Sequence, residues 1–174
     1  LERAFLFPGR RAGAYAQAVL ADEPLLYYRF EAPHEFPVVR DDSPNARSGN
    51  GVGIAPALFS ATAELGSSVR VDHFSADLRL PALPDMDAFT IELWLCPDPS
   101  EAGLEQPLVF TPVSPPGSLQ LAVTPGSSLL FLVLGNLPQG QTFNDSRLAP
   151  AGRWTHLALT YSATAKQVTI VQNG

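Results

Sequence analysis

Phe89-Thr90-Ile91-Glu92-Leu93-Trp94-Leu95-Cys96 decides the fold. Side chains alternate across a strand, so Phe89, Ile91, Leu93 and Leu95 share one face and Thr90, Glu92, Trp94 and Cys96 the other. The first face is wholly apolar and the second only partly polar. That pattern predicts a strand central in a sheet, one face in the core and the other partly covered. Cys96 closes the apolar run and reads as a small buried hydrophobe. Toward the C-terminus, further strands are expected at 107–113, 118–124, 128–134, 154–161 and 167–172. Pro115-Pro116-Gly117 and Pro125-Gly126 separate the first three of them. Trp154 to Tyr161 alternates cleanly, and Trp154 at its start is expected to be largely buried. Toward the N-terminus, short strands are expected near 52–60 and 67–74, a loop over 31–51, and an aromatic strand over 25–30. Only residues 14–22 read as helix, with Tyr15, Ala18 and Val19 on one face and Pro24 ending it. Residues 1–13, with Arg3, Arg10 and Arg11, read as a linker, and 14–174 as one domain. No βαβ alternation occurs, so a parallel α/β sheet is not expected.

Composition supports an all-β chain. There are 17 prolines in 174 residues, about twice ordinary usage, and proline breaks helices and punctuates loops. Hydrophobic residues make up 45%, enough for a packed core. The net charge of −6 disfavours phosphate backbones and anionic lipid headgroups as partners. The longest apolar run, Leu129 to Leu134, is strand-length, far from the ~18 residues a membrane span needs. A lone cysteine excludes an intrachain disulfide and a cysteine-rich zinc site.

Three segments, taken in order, resemble the LamG-like jelly-roll family of concanavalin A-type domains. In the first, Val19-Leu20-Ala21-Asp22-Glu23-Pro24 leads into Tyr27-Tyr28-Arg29-Phe30, and Asp42-Ser43-Pro44-Asn45-Ala46 stands where the family has an Asp-Ser-Ser-Gly-Asn-like turn. The second is Phe89-Thr90-Ile91-Glu92-Leu93-Trp94. The third is Trp154-Thr155-His156-Leu157-Ala158-Leu159-Thr160-Tyr161, followed by Val168 to Gly174. Pro44 and Ala46 depart from the small, flexible residues of that turn, and Gln172 stands where an apolar residue is usual. The resemblance implies a two-sheet antiparallel jelly-roll sandwich with one short N-terminal helix. It also calls for strands beyond Asn173-Gly174, a hairpin signal, so 14–174 is expected to be an incomplete domain.

Polysaccharide hydrolases share this architecture, so the residues bear on catalysis as well. Glycoside hydrolysis needs two carboxyl groups about 5–10 Å apart. On a strand that requires acids two or four residues apart. Glu92 has Trp94 and Cys96 at those positions, and Asp85 and Asp87 fall in a Pro-rich turn. No nucleophile elbow is present. His34, His73 and His156 are too scattered to read as a zinc set, and His156 reads as a structural strand histidine. Gly49-Asn50-Gly51-Val52-Gly53 reads as a turn with positive φ, not a phosphate loop. No catalytic residues are expected, and the chain reads as a non-enzyme.

Calcium is the one cofactor the sequence keeps open. Asp41, Asp42, Ser43 and Asn45 offer hard oxygen ligands in one loop, and related LamG-type domains hold calcium at the sandwich rim. The same residues are ordinary turn formers, so an Asx-type turn is the other reading. Tyr27, Tyr28, Phe59, Phe74 and Phe143 are candidate stacking surfaces for sugar, with core packing as the competing role. Asn144-Asp145-Ser146 matches a glycosylation sequon and reads as a polar hairpin end. The resemblance implies an extracellular or cell-surface recognition module for carbohydrate or a cell-surface protein, part of a larger chain, without membrane insertion or nucleic acid. Its alternatives are a structural spacer or adhesion domain, or an accessory domain of a glycoside hydrolase or protease.

Overall fold

The computed structural model describes residues 2–6, 12–30, 37–53, 59–62, 66–69, 77–97, 106–110, 119–123, 130–134, 141–145 and 150–173. The elements are β1 (Glu2–Leu6), α1 (Ala12–Ala21), β2 (Leu26–Tyr28), β3 (Val38–Val39), β4 (Gly49–Val52), β5 (Phe59–Thr62), β6 (Gly66–Val69) and β7 (Asp77–Arg79). They continue with β8 (Ala88–Leu95), β9 (Gln106–Phe110), β10 (Leu119–Val123), β11 (Leu130–Leu134), β12 (Gln141–Asp145), β13 (Thr155–Ser162) and β14 (Gln167–Gln172). The chain is all-β with one short helix. It divides into two compact units, Leu1–Trp94 with Ala158–Thr169, and Leu95–Leu157 with Ile170–Gly174.

The first unit holds most of a five-stranded sheet ordered β14-β13-β8-β1-β2, a three-stranded sheet β3-β4-β7 and the hairpin β5-β6. β8 behaves as a central strand: Leu93 is 2% exposed, and Trp94, on the opposite face, packs against a cluster of Ala16, Val19 and Tyr27. Helix α1 thus supplies part of the cover expected for that second face. Thr90, though polar, is buried, and its hydroxyl lies 3.1 Å from that of Thr160. Phe89 sets its ring 5.3 Å from that of Tyr161. In β13 the alternation is as regular as the sequence predicts, with Thr155, Leu157, Leu159 and Tyr161 buried.

The second unit contains an antiparallel meander ordered β12-β11-β10-β9. Leu121 and Ala122 in β10 are both fully buried, and the β9 register shifts between them. Such a bulge is how two successive side chains escape strict alternation. Asn144 and Asp145, expected at a hairpin end, are the last two residues of β12, with Asn144 opposite Phe131. Asn173 adopts a left-handed φ of 57°, as a turn asparagine does. Its backbone N–H donates to the His156 carbonyl at 3.0 Å, and its side-chain oxygen accepts from the His156 N–H at 3.1 Å.

Four sequence expectations are corrected. Glu2–Leu6 is a strand rather than linker, and it pairs in parallel with both β2 and β8. The flanking arginines hide the strand character of Ala4-Phe5-Leu6, and this insertion breaks the all-antiparallel rule. The helix buries Ala16 and Val19, with Leu20 packed beside them, and leaves Tyr15 38% exposed. An alanine-rich helix offers two stripes at i, i+3, i+4, and the small Ala16 allows the closer approach. Cys96 is exposed; it lies just past the end of β8, where parity turns it away from buried Leu95 and Pro97. Trp154 is only half-buried, preceding β13 rather than starting its inward row.

Truncating Leu159, which is fully buried, should therefore cost more than truncating the larger Trp154. Leu159→Ala is expected to lose about 2–5 kcal/mol and Trp154→Ala less, measured by urea unfolding followed by circular dichroism. The reverse order would return Trp154 to the core.

Candidate functional site

The loop singled out by its oxygen-bearing residues folds onto the exit of the helix and the edge of a sheet. Helix α1 ends with the N–H groups of Asp22 and Glu23 bonding three residues back to Val19 and Leu20, at 3.1 Å each. Glu23 then takes a left-handed φ of 49°, and Pro24 prevents continuation. The chain turns directly into β2, whose three residues are all buried. Tyr27 faces the α1 cluster, while Leu26 and Tyr28 join Phe30 and Val39 in a second one, with Leu78 and Val69 packed beside it. β2 ends the five-stranded sheet, so its outer backbone groups need partners from elsewhere.

Asp41 supplies them. Its residue forms an isolated antiparallel bridge with Tyr28. Its Oδ1 accepts the Tyr27 N–H at 2.8 Å and the Ser43 N–H at 2.9 Å. Its Oδ2 accepts the Ser43 hydroxyl at 2.8 Å and the Arg47 N–H at 2.7 Å. The next residue completes the pairing, the Asp42 N–H donating to the Tyr27 carbonyl at 2.8 Å. Asp41 is 4% exposed and Ser43 6%.

Around this centre the loop ties itself to the helix exit. The Ser43 hydroxyl accepts the Asn45 N–H at 3.2 Å. The Asn45 amide donates to the carbonyls of Pro24 and Leu25 at 3.3 and 3.2 Å. Ala46 takes a left-handed φ of 50°, a conformation that glycine adopts without strain. The Tyr28 hydroxyl donates to the Arg47 carbonyl at 2.7 Å. Burial first, and then the charge of Asp41, push that hydroxyl above its ordinary value of 10.0, so it stays a donor. Gly49 makes the close approach possible: a Cβ there would stand 3.0 Å from Leu78 Cδ1, 3.1 Å from the Arg79 carbonyl and 3.5 Å from the Tyr28 hydroxyl. Residues 49–52 are thus strand β4 rather than a turn, and only Gly53 has positive φ, at 67°.

The four residues expected as calcium ligands are brought together, but not as a cation cage. A carboxylate offers about four lone-pair sites, and protein donors occupy four on Asp41. The Ser43 hydroxyl gives its proton to Asp41 and takes the Asn45 N–H. Asp42, whose side chain is 24% exposed, instead pairs with exposed Arg40 at 3.0 Å. Calcium would have to displace four N–H or O–H donors to reach Asp41, so the residues do not fit the ion. Among the described residues, no three His, Cys, Asp or Glu side chains group as a metal site.

The remaining candidates separate. Tyr27 and Tyr28, each 1% exposed, are core and present no ring to a sugar. Phe74, His34 and His73, and the side chains of Phe59 and Phe143, lie outside the described residues. Asp85 and Asp87 are exposed in the segment before β8, and Glu92 is half-buried within it. The positions two away from Glu92 on its face carry Thr90 and Trp94. What the sequence does not reveal is which aspartate matters. The resemblance aligned Asp42 with the family turn, whereas parity in Val38-Val39-Arg40-Asp41, exposed and buried by turns, selects Asp41.

A laminin G-type family model, described as concanavalin A-like lectin/glucanases superfamily, matches residues 70–174, more than half of the chain. The chain belongs to this superfamily. Nothing among the curated proteins and nothing among the solved structures matches it. The superfamily takes in binding domains and glucanases alike, and it accords with the all-β fold of a concanavalin A-like sandwich. The match spans β7 to β14, so the Asp41 loop lies before it.

Two outcomes are expected from this geometry. Asp41→Ala strands buried backbone donors and should cost about 3 kcal/mol or more. Asp42→Ala removes an exposed ion pair and should cost less than about 1 kcal/mol; equal costs in urea unfolding would contradict the assignment. For Tyr28, a folded value raised above 10.0 means its contribution is complete below pH 10 and lost as pH climbs toward the folded value, because the unfolded state ionises first. Stability measured from pH 9 to 11 should fall less steeply in Tyr28→Phe than in the wild type.

Proposed function

We propose that this domain is a non-catalytic extracellular recognition module whose ligand is a carbohydrate or a cell-surface partner, carried as part of a larger chain. Membership of a superfamily rich in lectin-type domains supports the ligand class. One observation carries the non-catalytic half. β8 is the strand best placed to present an acid, and Glu92 has Thr90 and Trp94 as its same-face neighbours. A glycosidase needs a second carboxyl group about 5–10 Å away on a fixed support. Asp85 and Asp87 precede β8 in an irregular segment and are open to solvent.

Recognition by such a domain needs only a rigid scaffold and a surface, and strands give a more precise support than loops. The net charge of −6 favours neutral or cationic ligands over polyanions. Among the described residues no helix is long and apolar enough to cross a membrane.

A glycan array tests the reading. Saturable binding to one class of saccharide, with no reducing ends released from β-glucan, is the expected result. Turnover of β-glucan that disappears in Glu92→Gln would make the domain an enzyme. Absence of binding to every saccharide and cell surface tried would favour a structural spacer.

A further inference from the structure

We infer that the Asp41 carboxylate does in this loop the ordering work of a bound cation, so that the loop forms and holds its shape without calcium. A cation orders a loop by drawing several oxygen atoms of distant chain segments onto one centre. Here the polarity is inverted: one anionic centre draws hydrogen donors onto itself. The donors are Tyr27 N–H, Ser43 N–H, Ser43 O–H and Arg47 N–H, at 2.8, 2.9, 2.8 and 2.7 Å. They come from the sheet edge, from Ser43 within the loop, and from its far end, the segments that a rim cation would have to tie. Hydrogen bonds to an ionised acceptor are the stronger kind, and burial of Asp41 at 4% exposure keeps water from competing for it.

The outer polar atoms of the loop are also committed. The Asn45 amide points its donors at the carbonyls of Pro24 and Leu25, so these oxygens are taken up. The Tyr28 hydroxyl holds the Arg47 carbonyl. The carbonyls of Pro24, Leu25 and Arg47 thus face donors, as does the aspartate itself. Asp42 is the carboxylate turned toward Arg40 instead, and one surface carboxylate makes a poor calcium site.

A calcium titration of the 15N-labelled, chelator-treated protein tests this through the amides of Tyr27, Ser43 and Arg47. They should resonate at the same positions with and without calcium, up to on the order of 10 mM, above the range of weak extracellular sites. Chelation should leave the Tm unchanged, while Asp41→Asn, which turns one acceptor into a donor, should lower it by on the order of 5 °C. If Asp41→Asn does not fold, Ser43→Ala serves, since it removes one donor and leaves the carboxylate. Its Tm should also fall without gaining any response to calcium. Saturable movement of the three amides with calcium would overturn the inference. So would a Tm unmoved by both substitutions.

Discussion

The buried Asp41 carboxylate is the contact on which the described N-terminal architecture depends, because it and the amide after it pair the outer backbone of β2. An edge strand exposes a row of unpaired backbone groups. β2 cannot leave them open, since all three of its side chains are buried and water has little access. A neighbouring strand would be the ordinary remedy. Here a single aspartate and the amide after it supply the pairing, and the rest of the loop exists to hold that aspartate in place. Ser43 and Arg47 fill the other lone pairs, Asn45 clamps the helix exit, and Gly49 lets β4 come close to Tyr28.

From this edge the packing extends on both faces of β2. Tyr27 reaches the helix and, with it, Trp94 of β8; Leu26 and Tyr28 reach Val39 and the three-stranded sheet through Leu78. One short strand therefore couples two hydrophobic clusters, and its position is set by polar contacts at its rim. Burial supplies most of the driving force, at roughly 25 cal/mol per Å² of apolar surface. It does not choose the register. The directional hydrogen bonds of Asp41 do, since a slip of one residue would bring Tyr28 N–H, not Tyr27 N–H, to the carboxylate and turn every side chain of β2 to the wrong face.

Much of this was legible in the sequence, and the failures have physical causes. The alternation in Thr155 to Tyr161 is a direct consequence of period-two geometry and survives whole, whereas in Phe89 to Leu95 it holds for Leu93 and Leu95 while Thr90 of the other face is buried as well. Glu2–Leu6 was obscured because arginine content suggests a linker while Ala4-Phe5-Leu6 alone carries the strand signal. The choice between Asp41 and Asp42 could not be read from residue type, as both are turn-forming carboxylates. It follows from the alternating burial of Val38 to Asp41, which two successive valines do not announce. The calcium reading arose for the same reason: oxygen-rich loops look alike until the donors aimed at them are known. Function is less legible than fold, because a sandwich scaffold serves binding and catalysis equally.

Native-state hydrogen exchange at the Tyr27 amide measures the central claim most directly. If Asp41 closes the edge, that amide exchanges as slowly as those of Leu159 and Tyr161 in β13, opening only when its unit unfolds. Exchange at the rate of an open, solvated edge strand would contradict the account, and would leave the Asp41 loop a turn like any other.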